Sequence, residues 1–250
     1  MKHRFSAGIL VVLLTTFSLA AISTAGSKSL FTRANEAMGK GEYGTAAELY
    51  EKLVQKSGYS ADVLFNLAVS YEHSGQPGKA ILNYERALRL DPSDSDIKGN
   101  LHLLRKKNGL YAREFSWSEK FFQLLNMDQW LLTSLVFLVI FTLLQLTTLR
   151  LPLSTALKRT VSVACLFLIA LSAAGAFYRY PAYHAWVVTT EGSRLLLSPF
   201  DSSKSNGSIQ AGRLVFPEKK HHEFAYIKDD TGRSGWIRAR DIEPIVPHMR

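Results

Sequence analysis

The chain has 250 residues and a formal net charge of +9, and 47% of it is apolar. The positive charge is spread over both ends and the middle, so no segment carries the basic stripe that phosphate neutralisation requires, and nucleic acid is excluded as a partner. The one cysteine, Cys165, lies inside an apolar run; it has no partner for an intramolecular disulfide and is read as a small packing residue, not a nucleophile or metal ligand.

Met1-Lys2-His3-Arg4, the apolar run Ala7 to Ile22 and the small residues Ser23-Thr24-Ala25 have the three parts of a secretory signal. A signal peptide is expected over residues 1–25, cleaved after Ala25 or after Ala21, and an uncleaved anchor is the competing reading. Downstream, the 34-residue segment Leu30 to Val63 recurs at a fixed offset. Leu30 returns as Leu64, Ala34 as Ala68, Gly41 as Gly75, Ala46 as Ala80 and Tyr50 as Tyr84. Helical hairpins need small residues where their helices cross, large apolar residues where hairpins stack, and glycine where the first helix ends. Five helices are therefore expected between residues 26 and 107, as two hairpins and an amphipathic capping helix. The cap starts after Pro92, with Ser93, Asp94 or Ser95 as N-cap and Ile97, Leu101 and Leu104 on its apolar face.

The stretch Gly75 to Pro92, ending in Leu90-Asp-Pro92, closely resembles the tetratricopeptide (TPR) repeat. That resemblance implies an array that binds proteins, with the first helix of each hairpin on the concave face. Phe31, Asn35, Met38, Asp62, Phe65, Asn66, Val69, Glu72 and His73 fall there. The candidate partner-binding residues are Asn35, Phe65, Asn66, Val69, Glu72 and His73. Asn35 and Asn66 stand where carboxylate-clamping repeats carry asparagine, but Phe31, Asp96 and Asn100 replace the basic residues of such a clamp. A peptide or helix held by apolar and amide contacts is the favoured ligand.

Residues 108–129 form a connector rich in aromatic side chains, either an interfacial helix or a linker helix packed on the repeats. Trp130 to Leu149 and Val161 to Phe177 are free of charge, and each is long enough to span the ~30 Å hydrocarbon layer, the second extended to Tyr178. The loop between them, residues 150–160, carries Arg150, Lys158 and Arg159 and no acid, which makes it cytoplasmic by the positive-inside rule. Trp130, Phe177, Tyr178, Tyr180, Tyr183 and Trp186 then form one aromatic belt on the opposite side. Gln145, Ala170 and Ala174 either serve helix-to-helix packing or are ordinary membrane composition.

From His184 the pattern changes to short β-branched runs, 185–190, 194–197, 212–216, 224–228 and 235–238, separated by turn signals such as Ser205-Asn206-Gly207. Five strands in residues 184–246 imply a small barrel. Its ending, Gly235-Trp236-Ile237, resembles the last hairpin of bacterial SH3-like domains, and Trp236 is expected in the core. His221-His222-Glu223 could bind metal in principle, but adjacent histidines on a strand point to opposite faces and no second ligand pair follows at a zinc spacing.

The fold class is thus a multidomain membrane protein: all-α TPR hairpins, a two-helix transmembrane hairpin and a small all-β SH3-like barrel. This order is similar to the E-type (BatE) branch of the bacterial Bat aerotolerance proteins. The resemblance rests on the repeat around Ala80 to Pro92, the Met127-Asp128-Gln129-Trp130 entry to the first span and the Gly235-Trp236 ending. It implies an envelope setting, with von Willebrand factor A domain membrane proteins and a MoxR-type ATPase as partners. The expected role is an inner-membrane scaffold with both soluble domains in the periplasm; the alternative is a cell-wall sensor whose SH3-like domain binds peptidoglycan. No cofactor, metal or catalytic set is expected, because no nucleophile, base or ligand cluster has the required spacing.

Overall fold

The computed structural model describes residues 29–111, 116–148 and 154–246. The expected signal, residues 1–25, and Arg150 of the expected basic loop lie outside them. Two compact units are formed, one from the N-terminal helices together with residues 186–245 and one from the segment between them.

The helical repeats comprise α1 (29–39), α2 (Tyr43–Ser57), α3 (Ala61–His73), α4 (Pro77–Leu90) and α5 (Ser95–Lys107). Gly41 and Gly75, equivalent in the repeat, follow α1 and α3 with φ of 78° and 75°, the left-handed backbone that ends a helix cheaply only at glycine. Pro77 opens α4, where its missing N–H costs nothing. Asp94 caps α5 by accepting from the N–H groups of Asp96 (2.7 Å) and Ile97 (3.0 Å). Ala34, Ala46, Ala68, Ala80 and Ala87 are all fully buried, as close helix crossings require.

The C-terminal residues form a seven-stranded antiparallel sheet, where five strands were expected. The strands are β1 (Trp186–Val188), β2 (Arg194–Leu196), β3 (Ser205–Ser208), β4 (Leu214–His221), β5 (Phe224–Asp229), β6 (Ser234–Arg238) and β7 (Ile242–Pro244), in the order β3-β2-β6-β5-β4-β1-β7. Ser205-Asn206-Gly207, read as a turn, lies on the edge strand β3. Its residues are all exposed, so composition never had to favour a strand there. The core is made by Val188, Leu195, Ile209, Val215, Ala225, Ile227, Ile237 and Ile242. Trp236 corrects the expectation of a core tryptophan. Along β6 only Gly235 and Ile237 are buried, so the two-residue period puts Ser234, Trp236 and Arg238 on the outer face. At the β4–β5 turn, His221 ends the strand and His222 takes a positive φ of 48°.

The sheet packs directly on the repeats, and α4 makes the contact. A Cβ on Gly78 would lie 2.7 Å from the backbone oxygens of Val188 and Thr189, so only glycine admits this approach. Gly212, with φ of 87°, meets Ile81 of α4 and Leu110 just beyond α5; a Cβ there would overlap the Cδ1 atoms of both. Ile81, Leu110 and Ile245 are buried. The Arg86 guanidinium donates to the carbonyl oxygens of Pro244 (2.9 Å) and Ile245 (3.3 Å) and to the Glu243 carboxylate (3.3 Å). It also lies over the Tyr59 ring.

The second unit holds α6 (Trp117–Phe122), α7 (Met127–Thr148) and α8 (Thr155–Tyr183). Ser116 and Glu119 close a reciprocal cap on α6, with Ser116 N–H donating to Glu119 at 2.8 Å. Both long helices are apolar and long enough to cross a membrane. Lys158 and Arg159, expected in the loop, lie on the first turns of α8. Trp130, expected in an aromatic belt, is buried. Its indole donates to the Phe122 carbonyl (3.1 Å), and its ring covers Gly175, where a Cβ would be 2.5 Å away. Cys165, Ser172, Gly175 and Ala176 are the buried residues of α8, whereas Ala170 and Ala174 are exposed, because the facing stripe runs along the other side of the helix. Gln145 donates to Ser162 (3.1 Å) across the pair.

Candidate functional site

Three buried tyrosines organise the face on which the candidate residues lie. Tyr50 of α2 and Tyr84 of α4 are repeat equivalents and both are inaccessible. A buried phenol needs a partner for its hydroxyl; first-helix residues supply it for Tyr50 and Tyr84, and Glu51 of α2 supplies it for Tyr71. Tyr50 donates to the Asn35 side-chain oxygen and also bonds the Asn66 side chain. Tyr84 donates to the Glu72 carboxylate at 3.1 Å, and Tyr71 donates to Glu51. Burial pushes all three phenols above their ordinary pKa. Asn66 partly offsets this at Tyr50, whereas the adjacent carboxylates Glu51 and Glu72 reinforce it at Tyr71 and Tyr84.

Aromatic contacts follow the same 34-residue period. The Phe31 ring meets Tyr50 edge-on at 6.3 Å, and the Phe65 ring meets Tyr84 at 5.7 Å. Phe65 is thus part of the hairpin's own packing as well as of the candidate face: its ring covers Tyr84 and the residue is half-buried. Asn35, Asn66, Val69 and Glu72 are likewise half-buried. His73 is exposed and stacks on Tyr43 at 4.4 Å. At the next step of the period α5 carries Gly99, with open space where a Cβ would be, and beside it Leu103 is 63% exposed.

The structure thus gathers Asn35 and Asn66 on one hydroxyl and Phe65 and Glu72 on another, with His73 at the rim. What this face offers a ligand is the free side of two phenylalanines, Val69 and Leu103, bordered by amides and one carboxylate. Sequence reading passed over Leu103 and Gly99, although the same period extended to α5 leads to Gly99. Among the described residues no group of three histidine, cysteine, aspartate or glutamate side chains could hold a metal ion.

Comparison with known proteins agrees with the helical part. The tetratricopeptide repeat family profile matches residues 31–95. The photosystem I assembly protein Ycf3 of Synechococcus sp. (strain CC9605) is 33% identical over 81 residues, which is 31% of this chain and 47% of that protein. The chain therefore spans less than half the length of this curated relative. The crystal structure of the Sgt2 TPR domain from Aspergillus fumigatus is 32% identical, covering 34% of this chain and 57% of that one with a TM-score of 0.33. Residues 31–95 are TPR repeats, and such repeats imply a protein–protein interaction role.

Proposed function

We propose that the chain is an inner-membrane scaffold of a Bat/MoxR-type envelope stress system, with α7 and α8 as a transmembrane hairpin and with the repeats and an SH3-like sheet in the periplasm. The observation that carries this reading is the packing of the sheet on α4. The segments before and after the two apolar helices belong to one compact unit, which supports a reading in which both lie on one side of a membrane and the helices between them cross it as a pair. Tethering beside membrane partners raises the effective concentration of a modest groove toward the millimolar range. The scaffold works by binding and not by catalysis.

The partner is a von Willebrand factor A domain membrane protein of the Bat type, held on the face of Phe65, Asn66, Val69 and Leu103. Reporters fused after Lys107 and after Arg250 are expected to read as periplasmic, and one near Ser154 as cytoplasmic. Phe65→Ala with Asn66→Ala is expected to lose capture of the partner. Both residues touch buried tyrosines, so the fold is checked by circular dichroism, and Leu103→Glu on exposed surface serves as a second probe. Undiminished capture by both variants would remove the helical face from the interaction.

A further inference from the structure

The turn end of the β4–β5 hairpin combines exposed apolar and basic side chains. Leu197 and Phe200, in the β2–β3 connection, are 61% and 59% exposed; they are the exposed large apolar side chains of the sheet among the described residues. Lys219, Lys220, His221 and His222, at the end of β4 and in its turn, are all exposed. The Phe200 ring meets His221 at 6.3 Å, and His221 meets Trp236 at 6.3 Å. Lys219, Tyr226 and Trp236 are cross-strand partners, which share one face of a sheet, and Tyr226 and Trp236 are in ring contact at 5.4 Å. The Lys204 carbonyl accepts from Leu197 N–H at 3.0 Å, and Arg238 pairs with Asp201 at 2.5 Å. With Glu218 and Glu223 counted, the cations and histidines still outnumber the acids.

Register shows which end of the sheet this is. Trp186 pairs with Val215 and Val187 with Leu214, so the chain enters β1 from the end toward which β4 runs on to His221. That overhang is six residues, about 20 Å at strand rise. The same entrance is two residues from the end of α8, since α8 stops at Tyr183 and β1 starts at Trp186.

We propose that this hairpin end, with Leu197 and Phe200, docks on an anionic phospholipid bilayer surface. The inference rests on the reading of α7 and α8 as membrane-spanning. Protruding apolar side chains bordered by lysine, histidine and tryptophan match the two layers of an interface, acyl boundary and headgroup. The short tether from α8 keeps the sheet beside such a surface, so weak attraction suffices. Each lysine near an anionic leaflet contributes about fivefold to the docking equilibrium.

The test is amide hydrogen exchange on the full chain in nanodiscs of equimolar phosphatidylglycerol and phosphatidylcholine, in nanodiscs of phosphatidylcholine alone, and in detergent micelles. Residues 197–204 and 219–224 are expected to be protected in the anionic bilayer, less so in the neutral one and least in micelles. Lys219→Gln with Lys220→Gln should reduce the protection about twenty-five-fold. Leu197→Ser with Phe200→Ser should abolish it, and all four positions are exposed enough for the variants to fold. Equal exchange in all three media, with α7 and α8 protected, would overturn the docking while sparing the membrane hairpin. Rapid exchange through α7 and α8 in nanodiscs would overturn both readings. Protection produced in micelles by soluble peptidoglycan fragments would assign the face to the cell wall instead.

Discussion

Arg86 of α4 and Glu243 of β7, 157 positions apart in sequence, lie 3.3 Å from each other across the contact between repeats and sheet. The Arg86 side chain is only 13% exposed, and two backbone carbonyls share its guanidinium. A buried guanidinium with three acceptors fixes orientation as well as distance.

Arg86→Ala is therefore expected to cost about 2 to 4 kcal/mol, because it strands the Pro244 and Ile245 carbonyls and loses the packed stem on Tyr59. Calorimetry should show the loss. Exchange should accelerate in β7 and β1 before it does in α2 and α3. An unchanged melting profile would mean that the two parts are not energetically coupled.

Gly78→Ala gives a sign test. Within a helix this change ordinarily stabilises by about 1 kcal/mol. Here the added methyl meets two backbone oxygens at 2.7 Å, and neither can rotate away. Destabilisation by about 1 to 3 kcal/mol is expected. A higher melting temperature would show that the sheet does not sit on α4.

Asp229 gives a pH test. Its side chain is fully buried and accepts from Thr231 N–H (3.0 Å), Thr231 Oγ1 (2.7 Å), Arg233 N–H (2.8 Å) and Arg233 Nε (2.9 Å). Burial alone would raise its pKa, but the bonds from Thr231 and Arg233 prevail and hold the carboxyl below the usual carboxylate range. A depressed folded-state pKa contributes stability above the unfolded value, and that contribution is lost as pH falls through the folded one. Asp229→Asn should thus cost about 2 to 3 kcal/mol near neutral pH, and the gap to the parent should narrow in strong acid. A pH-independent gap would show that the carboxylate's charge is immaterial.

Gly175→Leu should separate α7 from α8, since the side chain would occupy the position of the Trp130 ring. The Trp130 emission maximum is the readout, taken in a Trp117→Phe, Trp186→Phe, Trp236→Phe background. No change in emission would place Trp130 elsewhere.

What could be read from sequence was the periodic part. A glycine and alanine pattern repeating every 34 residues and two uncharged runs are local signals, and they led to the TPR helices and the two apolar helices. Alternating apolar residues did the same for most strands of the sheet. Strand β3 escaped because its four exposed residues, two serines, an asparagine and a glycine, carry no apolar alternation, and Trp236 was misassigned because the resemblance to an SH3-like ending was followed over the two-residue period that places Gly235 and Ile237 inward. Docking of the sheet on α4 left no local trace. Gly78 resembles an ordinary first-turn residue and Gly212 an ordinary turn, and only the two backbones brought together explain both. The candidate face was located by period alone, but the use of its asparagines and Glu72 to satisfy buried phenols needed the fold.

The contact between α4 and the sheet also sets an order of events during synthesis. α4 leaves the ribosome long before β1, so Gly78, Ile81 and Arg86 remain uncovered while the two apolar helices are being made. Closing so long a loop carries an entropic cost that grows as the logarithm of its length. Once α7 and α8 pair with each other, the effective loop contracts to the residues that join the pair to α5 and to β1. Assembly of the helix pair is thus the step that makes docking fast, and a chain stalled before β7 exposes a bare Arg86 and the apolar surface around Ile81 to whatever quality-control factor recognises unfinished proteins.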